Sequence, residues 1–214
     1  MDSTTSKTTF YLVRHGETEW NVKKILQGHK NSRLTKKGID QAKQLASVLR
    51  DIHFDVIFSS DLRRARRTAE ILTQERNMKI KVSKFFREKT FGIYDGYPID
   101  AYRNETQQAL NTLEQMNEQE KWNFKCHHTM ESELDVVKRF ITRLQSIAKN
   151  HPSKTVLVVT HGGCLRLFLT YIGFASREAL SFGAVGNAAY IQLTSDGKMF
   201  TVLQTTGVTL QENQ

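Results

Sequence analysis

The sequence predicts an α/β fold, a three-layer α/β/α sandwich around a mostly parallel sheet. Three apolar runs of strand length, at residues 10–13, 54–58 and 155–160, each stop abruptly at a polar turn and lead into an apolar stripe of helical spacing. A chain of 214 residues with 39 % hydrophobic content has enough apolar material for one sizeable core. It therefore reads as a single domain over residues 9–214, after a Ser/Thr/Lys-rich tail at 1–8 expected to be disordered.

The elements follow in order. Phe10, Leu12 and Val13 predict a short buried strand, and Gly16 turns the chain into a helix over 17–24. Thr35 is the expected N-cap of a helix over 36–51, with Ile39, Ala42, Ala46 and Leu49 as its buried stripe. The second strand, 54–58, ends in Ser59-Ser60-Asp61, with Asp61 as the expected N-cap of a helix striped by Leu62, Ala65, Ala69 and Leu72. Residues 78–82 suit a short strand, and 85–98 are irregular, broken by Gly92, Gly96 and Pro98. A Gln/Asn/Glu-rich stretch at 98–130, with Tyr102, Leu110, Leu113 and Met116 at helical spacing, predicts an inserted, lid-like helical lobe. A long helix over 131–149 is followed by the β-branched run 155–160, the expected central strand, which ends in His161-Gly162-Gly163 before a helix over 164–172. The runs 188–194 and 199–205 flank Ser195-Asp196-Gly197-Lys198, whose Asp-Gly predicts a hairpin closed by a type I′ turn.

Composition removes several classes of function. The chain has no apolar run long enough for a membrane span and its first residues are polar, so a membrane partner and a secretory signal are not expected, and the cytoplasm is the expected compartment. Cys126 and Cys164 read as free thiols. The net charge of +9 fits nucleic acid, a membrane surface or a small polyanion, but the basic residues are scattered over helices, and nucleic acid is disfavoured. Cys126-His127-His128 with Glu131 lacks metal-ligand spacing, and His29, His53 and His151 read as surface residues. No signal speaks to oligomeric state.

Chemistry concentrates at the strand ends. Arg14-His15, the arginine-rich helix start at 59–67 and His161-Gly162 would converge on one crevice if their strands are neighbours in a parallel sheet. Two histidines and several arginines at a helix N-terminus suit a dianionic phosphoryl group, since guanidinium forks match phosphate oxygens. A neutral imidazole can attack phosphorus while the cations stabilise the transferring oxygens, so neither a metal nor a cofactor is expected. Departure of the leaving group needs a proton donor, and Glu88, in the loop after the third strand, is the carboxyl expected at the rim.

Arg14-His15-Gly16-Glu17-Thr18-Glu19-Trp20-Asn21, Ser59-Ser60-Asp61-Leu62-Arg63-Arg64-Ala65 and His161-Gly162-Gly163, in that order, resemble the histidine phosphatase superfamily in its phosphoglycerate mutase-like branch. The resemblance implies that His15 is the nucleophile and becomes a phosphohistidine, that Arg14, Arg64 and His161, with Gly162 beside them, clamp the phosphoryl group, and that Asn21, Gln27 and Gly28 contact the substrate phosphate. The segment 86–96 resembles the one carrying the family's proton donor, which falls on Glu88. Asn31 and Arg33 stand where the family usually has aspartate and proline, and Met130-Glu131-Ser132 stands where Gly-Glu-Ser is common, which leaves substrate identity open. The expected activity is metal-independent hydrolysis of a small phosphorylated metabolite. Two alternatives are a cofactor-dependent phosphoglycerate mutase and an inactive scaffold that binds polyanions.

Overall fold

The computed structural model describes residues 6–211. β1 (Thr8–Arg14) leads through one helical turn, α1 (Glu19–Val22), to α2 (Lys36–Val48), and β2 (Val56–Ser60) leads to α3 (Arg63–Leu72) and β3 (Ile80–Ser83). Three short helices, α4 (Ile99–Glu105), α5 (Gln107–Gln115) and α6 (Glu118–Asn123), precede α7 (Glu133–Asn150), β4 (Thr155–Thr160) and α8 (Gly162–Tyr171). The chain closes with β5 (Val185–Ser195) and β6 (Phe200–Val208).

The six strands form one sheet in the order β3-β2-β4-β1-β5-β6, in which the first four pair parallel and the β1–β5 and β5–β6 pairs are antiparallel. Side chains alternate across it, as a strand's two-residue period requires. Phe10, Leu12, Val156 and Val158 face a core closed by Val137, Phe140 and Leu144 of α7 and Leu165 and Phe168 of α8. Tyr11, Val13, Leu157 and Val159 face a second core closed by Leu45 and Leu49 at α2 and Ala65, Ala69 and Leu72 of α3. With helices on both faces, the parallel strands read as continuous apolar runs.

This topology positions the site. β1 and β4 pair in register, Arg14 opposite Thr160, and β2 lies on the other side of β4. The chain leaves β1 towards the α2/α3 face and leaves β4 towards the α8 face. Neighbouring strands that diverge in this way open a crevice at their C-terminal ends.

Several expectations are corrected. Of the tail expected over 1–8, residues 1–5 lie outside the described residues, while Thr8 opens β1 and its hydroxyl donates to the carbonyls of Ala148 and His151. The helix expected over 17–24 is only one turn, capped by Thr18, and Lys24 at φ 51° turns the chain away towards the Ile25–Pro98 bridge. Of the stripe expected for α2, Ala42 and, at its C-cap, Leu49 are buried and Ala46 packs against the same core, while Ile39 is only half-buried and Gly38 and Leu45 are buried in addition. Its Gly38 edge lies against the 16–17 bend, where a Cβ at 38 would sit 2.0 Å from the Glu17 carbonyl oxygen. Asp61 does not cap α3, because its carboxylate is held by Arg87 Nε and Nη2 at 2.8 and 2.6 Å. The serines expected in that turn, Ser59 and Ser60, belong to β2, which begins two residues late. The hairpin has a four-residue loop, not a type I′ turn: Asp196 Oδ1 accepts from the Lys198 and Met199 N–H groups, and within the loop only Gly197 takes a positive φ.

Candidate active site

Arg14, Ser60 and Thr160 end adjacent strands, so the residues that follow them meet. His15 and His161 lie one residue beyond paired ends, with ring centroids 5.2 Å apart and neither ring appreciably exposed.

The tautomers follow from the partners. His15 Nδ1 lies 2.7 Å from the Gly16 carbonyl oxygen, which can only accept, so Nδ1 carries the proton and Nε2 keeps its lone pair. Burial, then the cations Arg64 and Arg14, hold the pKa of His15 well below the ordinary histidine value, so the ring is neutral at neutral pH. His161 is opposite in sense. Its Nδ1 accepts from Arg64 Nε at 3.1 Å, which places the proton on Nε2, a buried donor without a protein acceptor among the described residues. Burial and then Arg64 hold this ring neutral as well.

Arg64 is 1 % exposed. Besides His161, its guanidinium donates to the carbonyls of Lys30 and Gly28, both at 2.8 Å. Three of its five N–H groups are thus committed to protein, and one remains free on each terminal nitrogen. Burial pulls its pKa down to about 10, which leaves it charged at neutral pH. Arg14 Nη1 donates to the Val185 carbonyl at 2.5 Å, while its Nε is buried without a partner among the described residues. Gly162 makes room for Arg14, since a Cβ there would lie 2.9 Å from Arg14 Nε. A buried unpaired donor costs about 1–3 kcal/mol. Arg14 Nε and His161 Nε2 are two such donors in residues flanking one neutral imidazole, an arrangement that an anion would relieve.

Glu88 approaches from the loop after β3. Its carboxylate accepts from the N–H groups of Gly163 at 3.0 Å, Cys164 at 3.1 Å and Lys89 at 2.9 Å, so it sits on the first turn of α8. Arg14, His15, Asn21, Gln27, Gly28, Glu88 and Gly162 all line one cavity of 710 Å³. Arg64 and His161 are buried beside these residues, hydrogen-bonded to each other, with the His161 ring against that of His15. Asn21 Oδ1 is taken by Thr18, and Gln27 donates to Thr18 Oγ1 at 2.8 Å, leaving its buried Oε1 without a partner among the described residues. Gly28 has a second role, since its carbonyl orients Arg64.

Sequence reasoning missed the residues that brace this arrangement. Arg139, on α7, pairs with Glu131 and donates to the carbonyls of Phe85, Arg87 and Glu88, which fixes the loop carrying Glu88. Asn187 Nδ2 donates to the His15 carbonyl at 3.2 Å, and Thr68 Oγ1 accepts from Gly16 N at 3.1 Å. His29, expected at the surface, instead contacts the Glu88 carbonyl at 2.9 Å. The partners are 51 to 54 positions apart for Arg139 and its carbonyls and 172 for Asn187, so no local pattern announces them.

The two buried histidines give a pH prediction. Their folded pKa values lie below the unfolded value near 6.5, so the unfolded chain binds more protons as pH falls. The stability they contribute is present above pH 6.5 and is lost below it. His151, also lowered, acts in the same direction. Carboxylates with lowered values, such as Asp61 and Glu131, lose their contribution only at more acid pH, below ordinary values of 3.8 and 4.5. The urea midpoint is therefore expected to fall between pH 7 and pH 5; an unchanged midpoint would contradict the neutral, buried rings.

Among the described residues no helix is long and apolar enough to cross a membrane. The model of the histidine phosphatase superfamily (branch 1) matches residues 10–206. The chain is 30 % identical over 199 residues to the broad-specificity phosphatase YOR283W of Saccharomyces cerevisiae, covering 90 % of this chain and 82 % of that one. Among solved structures it is similar to a phosphoglycerate mutase from Bacillus anthracis, with a TM-score of 0.83 and 26 % identity over 95 % of both chains. Bacillus stearothermophilus YhfR gives a TM-score of 0.81 and 31 % identity over 91 % of this chain and 95 % of that one. With its mostly parallel sheet, its paired histidines at adjoining strand ends and a family match over nearly its whole length, the chain belongs to the histidine phosphatase superfamily.

Proposed function

We propose that the chain hydrolyses small phosphomonoesters in two steps through a phosphohistidine on His15. The lone pair of His15 Nε2 attacks phosphorus, the bond to the ester oxygen breaks, and Glu88 gives its proton to the departing alkoxide. Glu88, now a carboxylate, takes a proton from a water whose oxygen attacks the phosphohistidine, the P–N bond breaks, and inorganic phosphate leaves with His15 neutral again. Arg14, Arg64 and His161 Nε2–H bind the transferring oxygens, and Asn21, Gln27, Gly28 and Gly162 line the phosphate's seat. The observation that carries this reading is the Nδ1–H bond of His15 to Gly16, which leaves Nε2 as a free base beside unpartnered donors. The reaction draws on these side chains alone and uses no metal or cofactor. Two free thiols fit action in the cytoplasm.

Reactions with a phosphoryl-labelled aryl phosphate stopped in alkaline denaturant should leave label on the protein that is base-stable and lost in acid, and none on His15→Ala; label on neither protein would overturn the proposal. The similarity to a phosphoglycerate mutase keeps transfer to a second hydroxyl as the alternative reading. Formation of 2-phosphoglycerate from 3-phosphoglycerate with a bisphosphoglycerate primer, faster than phosphate release, would favour it. A scaffold that binds polyanions without turnover is disfavoured, because every residue of the two steps is present.

Glu88 gives a third prediction. A Cβ at position 163 would lie 2.4 Å from Glu88 Oε1, so Gly163→Ala must displace the carboxylate. A drop in kcat of about 10- to 100-fold is expected for phenyl phosphate, with a smaller drop for p-nitrophenyl phosphate, whose leaving group departs without a proton. Equal losses on both would remove Glu88 from the acid role.

A further inference from the structure

The cavity extends well beyond the phosphoryl site. Helices α4, α5 and α6 bury no residue of their own, yet each contributes to the cavity from its span or its end: Ile99 and Tyr102 from α4, Leu110 and Leu113 from α5, and Phe124 just after α6. On α4 and α5 these pairs are three residues apart, which places each pair on one helix face. Ile99 and Tyr102 pack against a small cluster of Leu26, Tyr94 and Met130, but Leu110, Leu113 and Phe124 belong neither to it nor to the two cores, and neither does Phe182, which is 67 % exposed and lines the same cavity. Charged groups share the wall, Asp100 and Arg103 on α4 and Lys121 on α6 among them, and some are committed to one another, as Glu133 is to Arg166 and Arg177 and Lys121 is to Glu118.

On the phosphatase reading above, we infer that the preferred ester carries an apolar alcohol as its leaving group, seated against Tyr102, Leu110, Leu113 and Phe124 while the phosphoryl group lies at His15. Leu110, Leu113 and Phe124, which meet no protein core, gain by burying an apolar ligand and have no group to pair with the hydroxyls of a polyol, while the Tyr102 hydroxyl is turned to Cys126. The stripe is continuous with the reacting end, so one substrate spans both.

The n-alkyl phosphates from ethyl to octyl separate burial from chemistry, because their leaving alcohols have nearly the same acidity. kcat/KM is expected to rise by about fourfold per methylene while the chain remains inside the cavity, the factor that corresponds to burying one CH₂. The double substitution Leu110→Asn with Leu113→Asn should flatten that slope. Calorimetry with the matching n-alkylphosphonates repeats the measurement on wild-type protein without needing turnover. A flat series in both measurements, with p-nitrophenyl phosphate still hydrolysed, would overturn the apolar pocket and leave the phosphatase reading intact. Chain-length-dependent phosphonate binding with no ester hydrolysed would do the reverse. A tenfold preference for 3-phosphoglycerate over octyl phosphate would also overturn the inference.

Discussion

Replacement of His15 by alanine is expected to lower kcat/KM on p-nitrophenyl phosphate by about 10⁴-fold or more, since it deletes the atom proposed to carry the phosphoryl group. The cationic pocket does not depend on this side chain: Arg64 is held by Gly28, Lys30 and His161, and Arg14 by Val185. Inorganic phosphate should therefore still bind, with a dissociation constant within about tenfold of wild type by calorimetry. Loss of turnover with retained binding separates chemistry from recognition. Because His15 is 3 % exposed and its Nδ1 bonds to Gly16, His15→Asn serves as a partner variant that fills more of the space. Residual activity above about one per cent in both variants would sink the phosphohistidine.

The second large effect is expected at Arg64. Arg64→Met keeps a long side chain but removes the charge and three hydrogen bonds, leaving the carbonyls of Gly28 and Lys30 and Nδ1 of His161 without their donor. A fall in kcat/KM of about 10²- to 10³-fold is expected from the lost stabilisation of the transferring oxygens. A loss of roughly 2–4 kcal/mol in unfolding free energy is expected from the orphaned acceptors, read by urea titration. Arg64→Lys should restore little of either, because an ammonium cannot reach three diverging acceptors as a planar fork does. The tautomer of His161 is a separate readout: without the Arg64 donor its proton is no longer confined to Nε2, a change visible in the nitrogen shifts of the ring. An Arg64→Met protein with full activity would mean that the buried guanidinium serves the fold alone.

Legibility in the sequence followed the range of the interaction. Strands β1, β2 and β4 announced themselves as apolar runs, because both faces of a parallel sheet are covered and each residue is buried whichever way it points. Arg14, His15, Arg64, Glu88 and His161 were named from local context and family resemblance, since each stands at a strand end or in a loop where a polar residue interrupts apolar periodicity. Local reasoning failed where a side chain had a distant partner. Asp61 has the sequence context of an N-cap but pairs with Arg87, a charge-assisted fork that outcompetes a single backbone N–H. The buried face of α2 is widened to Gly38 by its contact with the 16–17 bend, and the Asp-Gly turn is reshaped by the aspartate's own side chain.

By itself, then, the sequence determined the sandwich, its principal strands and the residue types of a candidate phosphoryl site, because periodicity and strand-end polarity are properties of neighbouring residues. Only the tertiary structure decided that β4 lies between β1 and β2, which nitrogen of each histidine carries the proton, that Glu88 rests on the first turn of α8 under the brace of Arg139, and that the lobe lines the same cavity. Those depend on partners far away in the chain, and hydrogen-bond direction and burial exist only once the chain has brought them together.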